Sequence, residues 1–468
     1  MVENLSLSVD WVIHRVPLDV WRHMFNFVYQ ESPISTLPDI NDIVRLSHVC
    51  SSWRDIVTNA PELWTRVYIT IDPHKPLVKP RIELLSLILR NARDMPLIMS
   101  FNAHGFWHVN LDLILEIAKL FFRAAKHAKH LAWAVPDEFP LHELVAEIQE
   151  GPLLQSLSIN LPYRVDHIIT VASKLWDPAP YSLKSLTLCG TRLNLQTFDK
   201  FETLHLPFRQ LTALDIGSEL DIETFCRLAS LTPSLATAAL PAMIGGPSKT
   251  RHVKAMELLR LEELTLRGDK EEYRSYSTTP LLPYIVSPSL TSLHLVDCHS
   301  WSPGSFNSFL ENSSPRIEHI VLDVARFSED QKIDCLRLLP FLRTLDFRSK
   351  ASNMSINTIG SEFCAAMQER DESTGAFVLC PKLEKLCIDH DTLYDPISTD
   401  FADMLEDRWR QSRAASQTFK LEIVTHKDQR LFGNEPRMYS TLIRILMLKR
   451  SGMDVQMEPG NWLVNLFD

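Results

Sequence analysis

Three apolar residues in the register L-x-x-L-x-L recur along most of this 468-residue chain. They stand at Leu154-Leu157-Ile159, Leu183-Leu186-Leu188, Leu211-Leu214-Ile216, Leu261-Leu264-Leu266, Leu290-Leu293-Leu295, Ile317-Ile320-Leu322, Leu342-Leu345-Phe347 and Leu383-Leu386-Ile388. Leu235-Ala238-Leu240 is a weaker member, and Leu131 with Trp133 ends another. The starts at 154, 183, 211, 235, 261, 290, 317 and 342 lie 29, 28, 24, 26, 29, 27 and 25 residues apart. Isolated triplets arise by chance in a chain rich in aliphatic residues, but evenly spaced ones do not. Alternate residues of a strand share a face, so each triplet gives a short strand and its approach one side to bury. One such unit cannot bury that side alone, whereas stacked neighbours can.

The register resembles degenerate leucine-rich repeats, with strand, loop and helix in each unit. Helices are expected at Asp221–Ala229, Thr250–Leu259 and Ser328–Leu339, the last opened by Ser328 and Gln331 at capping-box spacing. The asparagine or cysteine usual three residues after the last apolar position occurs only once, as Cys298, so an irregular solenoid is expected, with a parallel sheet on its concave face. The step from Leu342 to Leu383 is 41 residues, which places an insertion near Ser349–Thr358 or Gln368–Gly375. Beyond it, Phe401–Trp409 reads as a helix, Phe419–Val424 as a strand and Tyr439–Leu448 as a helix, a closing cap that a repeat array needs. Arg81–Asn91 and Leu111–Lys126 read as helices ahead of the repeats.

Ahead of those lies a different pattern. Val16-Pro17-Leu18-Asp19 starts a helix, with the proline where a missing N–H is harmless and the acid where it complements the helix dipole. Val20, Met24, Phe27 and Val28 follow helical spacing with Trp21 and Phe25 beside them, an apolar sector wide enough to need cover on two sides. A second helix, capped by Asp39 or Asn41, carries Ile43, Leu46, Val49, Cys50 and Trp53, and Pro61-Glu62-Leu63-Trp64 follows.

This order resembles the F-box, whose pattern runs Leu-Pro, an acid, an aliphatic, Ile-Phe, then Leu, Val-Cys and Trp-Arg. The matching positions are Val16-Pro17, Asp19, Val20, Met24-Phe25, Leu46, Val49-Cys50 and Trp53-Arg54, followed by Leu63-Trp64. The departures are Val16, Asp19, Met24 and a long spacer between the first two helices. By resemblance, Val16, Pro17, Val20, Met24, Phe25, Leu46 and Val49 dock on a Skp-family adaptor, while Cys50, Trp53 and Trp64 hold the helices together.

Composition narrows the function. Lys and Arg total 48 against 58 Asp and Glu, a net charge of -10 that disfavours a nucleic-acid partner. Eight cysteines form no C-x-x-C and follow no signal peptide, which suggests reduced thiols in the cytoplasm or nucleus. No stretch is long and apolar enough for a membrane span. Phosphate-loop, dinucleotide, nucleophile-elbow and zinc-protease motifs are missing, so neither a cofactor nor catalysis is expected. His104 and His108 flank a glycine and lack a third ligand; His127 and His130 are expected in solvent near a helix end. Asp389-His390-Asp391 reads as a polar turn, Cys380 and Cys387 as core, and Asp400, Asp403, Glu406 and Asp407 with Arg408 and Arg410 as a solvated helix face.

The expected architecture is therefore α/β: a helical F-box at 1–70, a helical linker and N-terminal cap at 71–127, degenerate leucine-rich repeats at 128–400 and a C-terminal repeat or cap at 401–468. The resemblance implies a substrate adaptor of a cullin ubiquitin ligase, linked to the cullin through its Skp-family partner. A non-catalytic repeat scaffold is the alternative. Outward residues between the triplets, Lys184, Ser185, Thr212, Glu262, Glu263, Thr291, Ser292, Arg343 and Lys385, are the expected target-binding positions.

Overall fold

The computed structural model describes residues 16–30, 40–71, 78–103, 111–136, 139–144, 146–147, 151–161, 182–190, 206–245, 254–268, 278–298, 301–324, 327–348, 359–389, 398–415, 417–424 and 436–457. The chain divides into two compact units, 1–191 with 196–207, and 192–195 with 208–468.

The first unit opens with helices α1 (Leu18–Gln30), α2 (Ile40–Ser47) and α3 (Ser51–Thr58) and a 3-10 turn, Pro61–Trp64. Strand β1 (Arg66–Ile71) follows with a single residue between, then β2 (Val78–Lys79), α4 (Ile82–Ala92), β3 (Leu97–Ala103), α5 (Leu111–Ala124), β4 (Ala128–Ala134), β5 (Ser156–Leu161) and β6 (Ser185–Gly190). The stretch read as a purely helical linker thus contributes a sheet strand, β3. β1 pairs in parallel with β3, β3 with β4, β4 with β5 and β5 with β6. β2 closes the far side of β1 as a short antiparallel strand, which protects that edge. The register aligns Val67, Met99, Leu131, Leu157 and Leu186 in one buried column and Ile69, Phe101, Trp133, Ile159 and Leu188 in the next. Helix α5 covers them with Phe121 and Phe122, whose rings lie 5.5 and 6.4 Å from that of Phe101. His130 lies within β4 and not at a helix end, because the strand begins directly after the 3-10 turn that ends at His127.

The second unit contains β7 (Ala213–Ile216), α6 (Ile222–Leu231), β8 (Thr237–Pro241), β9 (Met243–Gly245), β10 (Met256–Glu257), β11 (Glu263–Arg267), β12 (Thr278–Pro280), β13 (Ile285–Val286), β14 (Ser292–Cys298), α7 (Pro303–Ser313), β15 (His319–Val324), α8 (Glu329–Arg337), β16 (Thr344–Asp346), α9 (Ser361–Gln368), β17 (Lys385–Asp389), α10 (Ser398–Ala414), β18 (Lys420–Val424), α11 (Pro436–Arg450) and β19 (Asp454–Met457). Its main sheet runs β7, β8, β11, β14, β15, β16, β17, β18, β19, all parallel. Leu214, Ala238, Leu264, Leu293, Ile320, Leu345, Leu386, Leu421 and Val455 form its buried column. The closing segment, 401–468, carries β18 and β19, which extend the same sheet.

Two local expectations need comment. Ser328 caps α8 in a reciprocal capping box with Gln331, as its spacing foretold. The helix expected at Thr250–Leu259 is not formed by its described residues: Met256–Glu257 is strand β10, paired with β13, and the Leu258 N–H donates to the Val286 carbonyl at 2.8 Å. With Leu261 committed to the next strand, this backbone meets its hydrogen-bonding needs laterally. Of the two insertion ranges, Gln368–Gly375 holds a tight hairpin closed by an Arg370–Phe377 bridge, and Ser349–Thr358 lies outside the described residues.

One recurring device sets where each strand starts. At Gly151–Leu154, Thr232–Leu235, Ser287–Leu290, Leu339–Leu342 and Cys380–Leu383, the N–H of the first triplet leucine donates to the carbonyl three residues earlier, at 3.1, 3.3, 3.4, 3.2 and 3.2 Å. The second residue is proline in all five: Pro152, Pro233, Pro288, Pro340 and Pro381. Proline fixes φ at the value that this turn position requires and cannot continue a helix.

Candidate functional site

Pro17 opens α1, its carbonyl accepting from the N–H groups of Val20 and Trp21 at 3.0 and 3.3 Å. Trp21 and Phe25 point inward and meet Trp53 of α3, with ring centroids 5.9, 5.4 and 4.9 Å apart around the trio. Trp64 is buried and donates its indole N–H to the Val57 carbonyl at 2.8 Å, tying the 3-10 turn to α3. Cys50 serves as the cap of α3, its sulfur accepting the Trp53 N–H at 3.4 Å. Trp53 and Trp64 thus link neighbouring helical elements, while Cys50 caps one of them.

The expected docking residues separate into groups. Pro17, Val20 and Met24 lie in solvent on one stripe of α1, Val49 is exposed after α2, and Val16 and Leu46 are half-buried. Phe25 departs from expectation. It is only 4% exposed and packs at the centre of the aromatic trio, so it supports the face without lining it. Its place on the stripe belongs to Phe27, which is 55% exposed and continues Val20 and Met24 at helical spacing. That spacing was visible in the sequence, but the F-box pattern drew attention to Phe25. Beside Val49 opens a groove of about 390 Å³ lined by Val44, Arg45, His48 and Val49.

The expected target-binding residues also divide. Thr212, Glu262, Thr291 and Arg343 fall on a single row at the start of the strands of the second unit. Main-chain bonds of 2.8–2.9 Å run along it from Thr212 through Ala236, Glu262, Thr291, Glu318 and Arg343 to Glu384. Lys184 takes the same position in the first unit, bonded to Gln155. These residues are one position too early to stand on the strand face, where Ser185, Glu263, Ser292 and Lys385 lie. Arg343 is held between Glu384 at 2.7 Å and Glu318 at 3.4 Å.

The strand face of the second unit is polar and largely self-paired. Arg267 reaches over β8, which offers only Ala239 and Pro241 there, to grip Asp215 with two bonds of 2.5 and 3.1 Å. Farther along, Arg348 pairs with Asp346 at 2.6 Å and Glu422 at 3.4 Å, and Lys385 pairs with Glu422. The bond from Lys385 holds the Glu422 carboxyl below its ordinary value, and the same bond raises the Lys385 amine. On the neighbouring strands Ser292 Oγ lies 3.0 Å from His294 Nε2, and His294 Nδ1 lies 3.4 Å from Thr265 Oγ1 and 3.7 Å from Glu263 Oε1.

A serine, an imidazole and a carboxylate in that order invite a catalytic reading. The trio stands on the strand face, however, where the local backbone N–H groups belong to the strand ladder. Among the described residues no cluster of three His, Cys, Asp or Glu side chains could hold a metal ion, and no helix is long and apolar enough to cross a membrane. Cys380 and Cys387 are buried as expected, and burial pushes both thiols up to about 12, far from reactive thiolates. Asp389 is buried at the end of β17; His390, Asp391, His104 and His108 lie outside the described residues. Arg408 corrects the solvated-face reading of α10. It is 3% exposed and donates to the carbonyls of Met367, Leu379 and Cys380.

Residues 14–70 match the family described as F-box-like, a stretch that takes in α1, α2, α3, the 3-10 turn and most of β1. No curated protein matches the chain. Among solved structures, the chain is similar to the crystal structure of the leucine-rich repeat-containing protein LegL7 from Legionella pneumophila. The TM-score is 0.34 at 11% identity, over 81% of this chain and 97% of that one. It is also similar to the crystal structure of the Rad7 and Elc1 complex in yeast, with a TM-score of 0.32 at 12% identity, over 75% of this chain and 92% of that one.

Proposed function

We propose that this chain recruits targets to a cullin-based ubiquitin ligase, docking on a Skp-family adaptor through its F-box-like helices and presenting its repeats to a target protein. The supporting observation is the apolar stripe of Pro17, Val20, Met24 and Phe27, with Val49 nearby, left about half exposed on helices whose other side already holds a core. Large apolar side chains grouped on one face mark an interaction site. Their place within an F-box-like match supports an adaptor as the partner at that site. Catalysis then belongs to other subunits, and the chain works as a non-enzymatic adaptor in the cytoplasm or nucleus. The strand face and the row that precedes it are the surfaces offered to the target.

The test is the affinity of the full chain for a purified Skp-family adaptor. Met24 and Phe27 are about half exposed, so burying the remainder on docking stabilises the complex by about 1 kcal/mol each, and Met24→Asp with Phe27→Asp should weaken binding by at least about thirtyfold. The melting temperature should hold, since both side chains already face water. Full affinity in the double variant would move the docking face elsewhere. No binding by the unaltered chain would leave a non-catalytic repeat scaffold as the function.

A further inference from the structure

We infer that the groove on α2 receives an acidic, apolar segment of the adaptor, with an aliphatic side chain against Val44 and Val49 and a carboxylate between Arg45 and His48. This rests on the adaptor reading above and names the chemistry of the partner at one place. Two valines, Val44 and Val49, line the groove together with Arg45 and His48. Arg45 is the dominant charge: its side chain is 77% exposed and gives only one nitrogen to Asp42, at 3.0 Å. An exposed pair of this kind is worth little, so the guanidinium remains available to a second carboxylate. Arg54 adds a second cation at the C-terminal end of α2, where its Nε donates to the Ser47 carbonyl at 3.1 Å.

The surrounding charge makes this spot distinctive. The chain carries a net charge of -10, so its long-range field repels acidic partners. A groove lined by Arg45, whose paired carboxylate is Asp42, offers a local cation where exposed Val49 also needs cover. Exposed charges of this kind act mainly on the association rate and its salt dependence, whereas the apolar contact governs how long the complex lasts.

The experiment follows association of the full chain with a purified Skp-family adaptor by stopped flow, between about 0.01 M and 0.15 M salt, where the screening length falls from about 30 Å to about 8 Å. At about 0.01 M salt the unaltered chain should associate several-fold faster than Arg45→Glu, and the gap should narrow toward about 0.15 M as screening removes the local attraction. The dissociation rate of Arg45→Glu should change little. Val49→Ser should do the reverse, raising dissociation while keeping the salt response. Arg45→Gln, which only removes the charge, provides the same comparison at half the perturbation if Arg45→Glu folds poorly. Binding by the unaltered chain that is indifferent to salt and to both Arg45 changes would overturn the inference and leave the adaptor reading standing. No binding by the unaltered chain would overturn the reading and the inference together.

Discussion

Arg408 shows how much a single buried side chain can organise. Its guanidinium gathers three main-chain carbonyls from the end of α9 and the approach to β17 and lies 4.2 Å from the Phe377 ring. Removing it as Arg408→Met should cost about 3–5 kcal/mol, since those carbonyls would be left dry, and Arg408→Lys should recover only part, because an ammonium lacks the planar fork. Thermal melts of the three proteins check this. Lys332 supplies a second case. It is 1% exposed, 5.9 and 5.7 Å from the centres of Phe327 and Phe347, and burial lowers its amine to about 8. A base whose folded pKa is depressed binds fewer protons folded than unfolded, so its contribution to stability rises as pH climbs from about 8 towards the unfolded value of 10.5. The slope should not exceed about 1.4 kcal/mol per pH unit, and Lys332→Met should abolish it, as chemical denaturation across that range would show. Neither role was legible in the sequence. Arg408 sits among acids that read as solvent-facing, and helical spacing reports which residues share a sector without telling which edge of it another helix covers. The same blindness put Phe25 on the docking face and overlooked Phe27.

The elements were far more readable, because burial on a strand repeats every second residue and every triplet in the chain lands in a buried column. The described part of the expected helix at Thr250–Leu259 pairs as a strand instead, since a stretch this short, with few apolar residues, carries little periodicity to separate a helix from lateral strand pairing. The proline turns could have been found beforehand: a proline two places before the first leucine of a triplet was in plain view. Glycines test the element scale sharply. A Cβ on Gly268 would sit 1.8 Å from the Asp297 carbonyl oxygen, a backbone atom in a strand bulge, whereas one on Gly304 in α7 would meet nothing within 4 Å. Gly268→Ala should therefore destabilise the protein by at least about 2 kcal/mol, and Gly304→Ala should stabilise it by up to about 1 kcal/mol. Equal melting temperatures for the two variants would contradict the packing described.

At the scale of the molecule, the F-box-like helices are continuous with the repeat sheet. Only Thr65 separates the 3-10 turn from β1, and the Thr65 carbonyl accepts the Ile98 N–H at 2.8 Å at the head of β3. A fragment of residues 1–70 should consequently lack a cooperative melt by circular dichroism, having lost the strand that pairs with β1. Binding studies need the full chain for that reason. The proline turns and the leading row, where one bond of 2.8–2.9 Å follows the next, fix the start of the strands. The 41-residue step after Leu342 is accommodated without disturbing the pairing of β16 with β17. Such a design lets lineage and selection lengthen, shorten or rewrite the exit loops one at a time, like type reset on a fixed baseline, while the fold that carries them keeps its register.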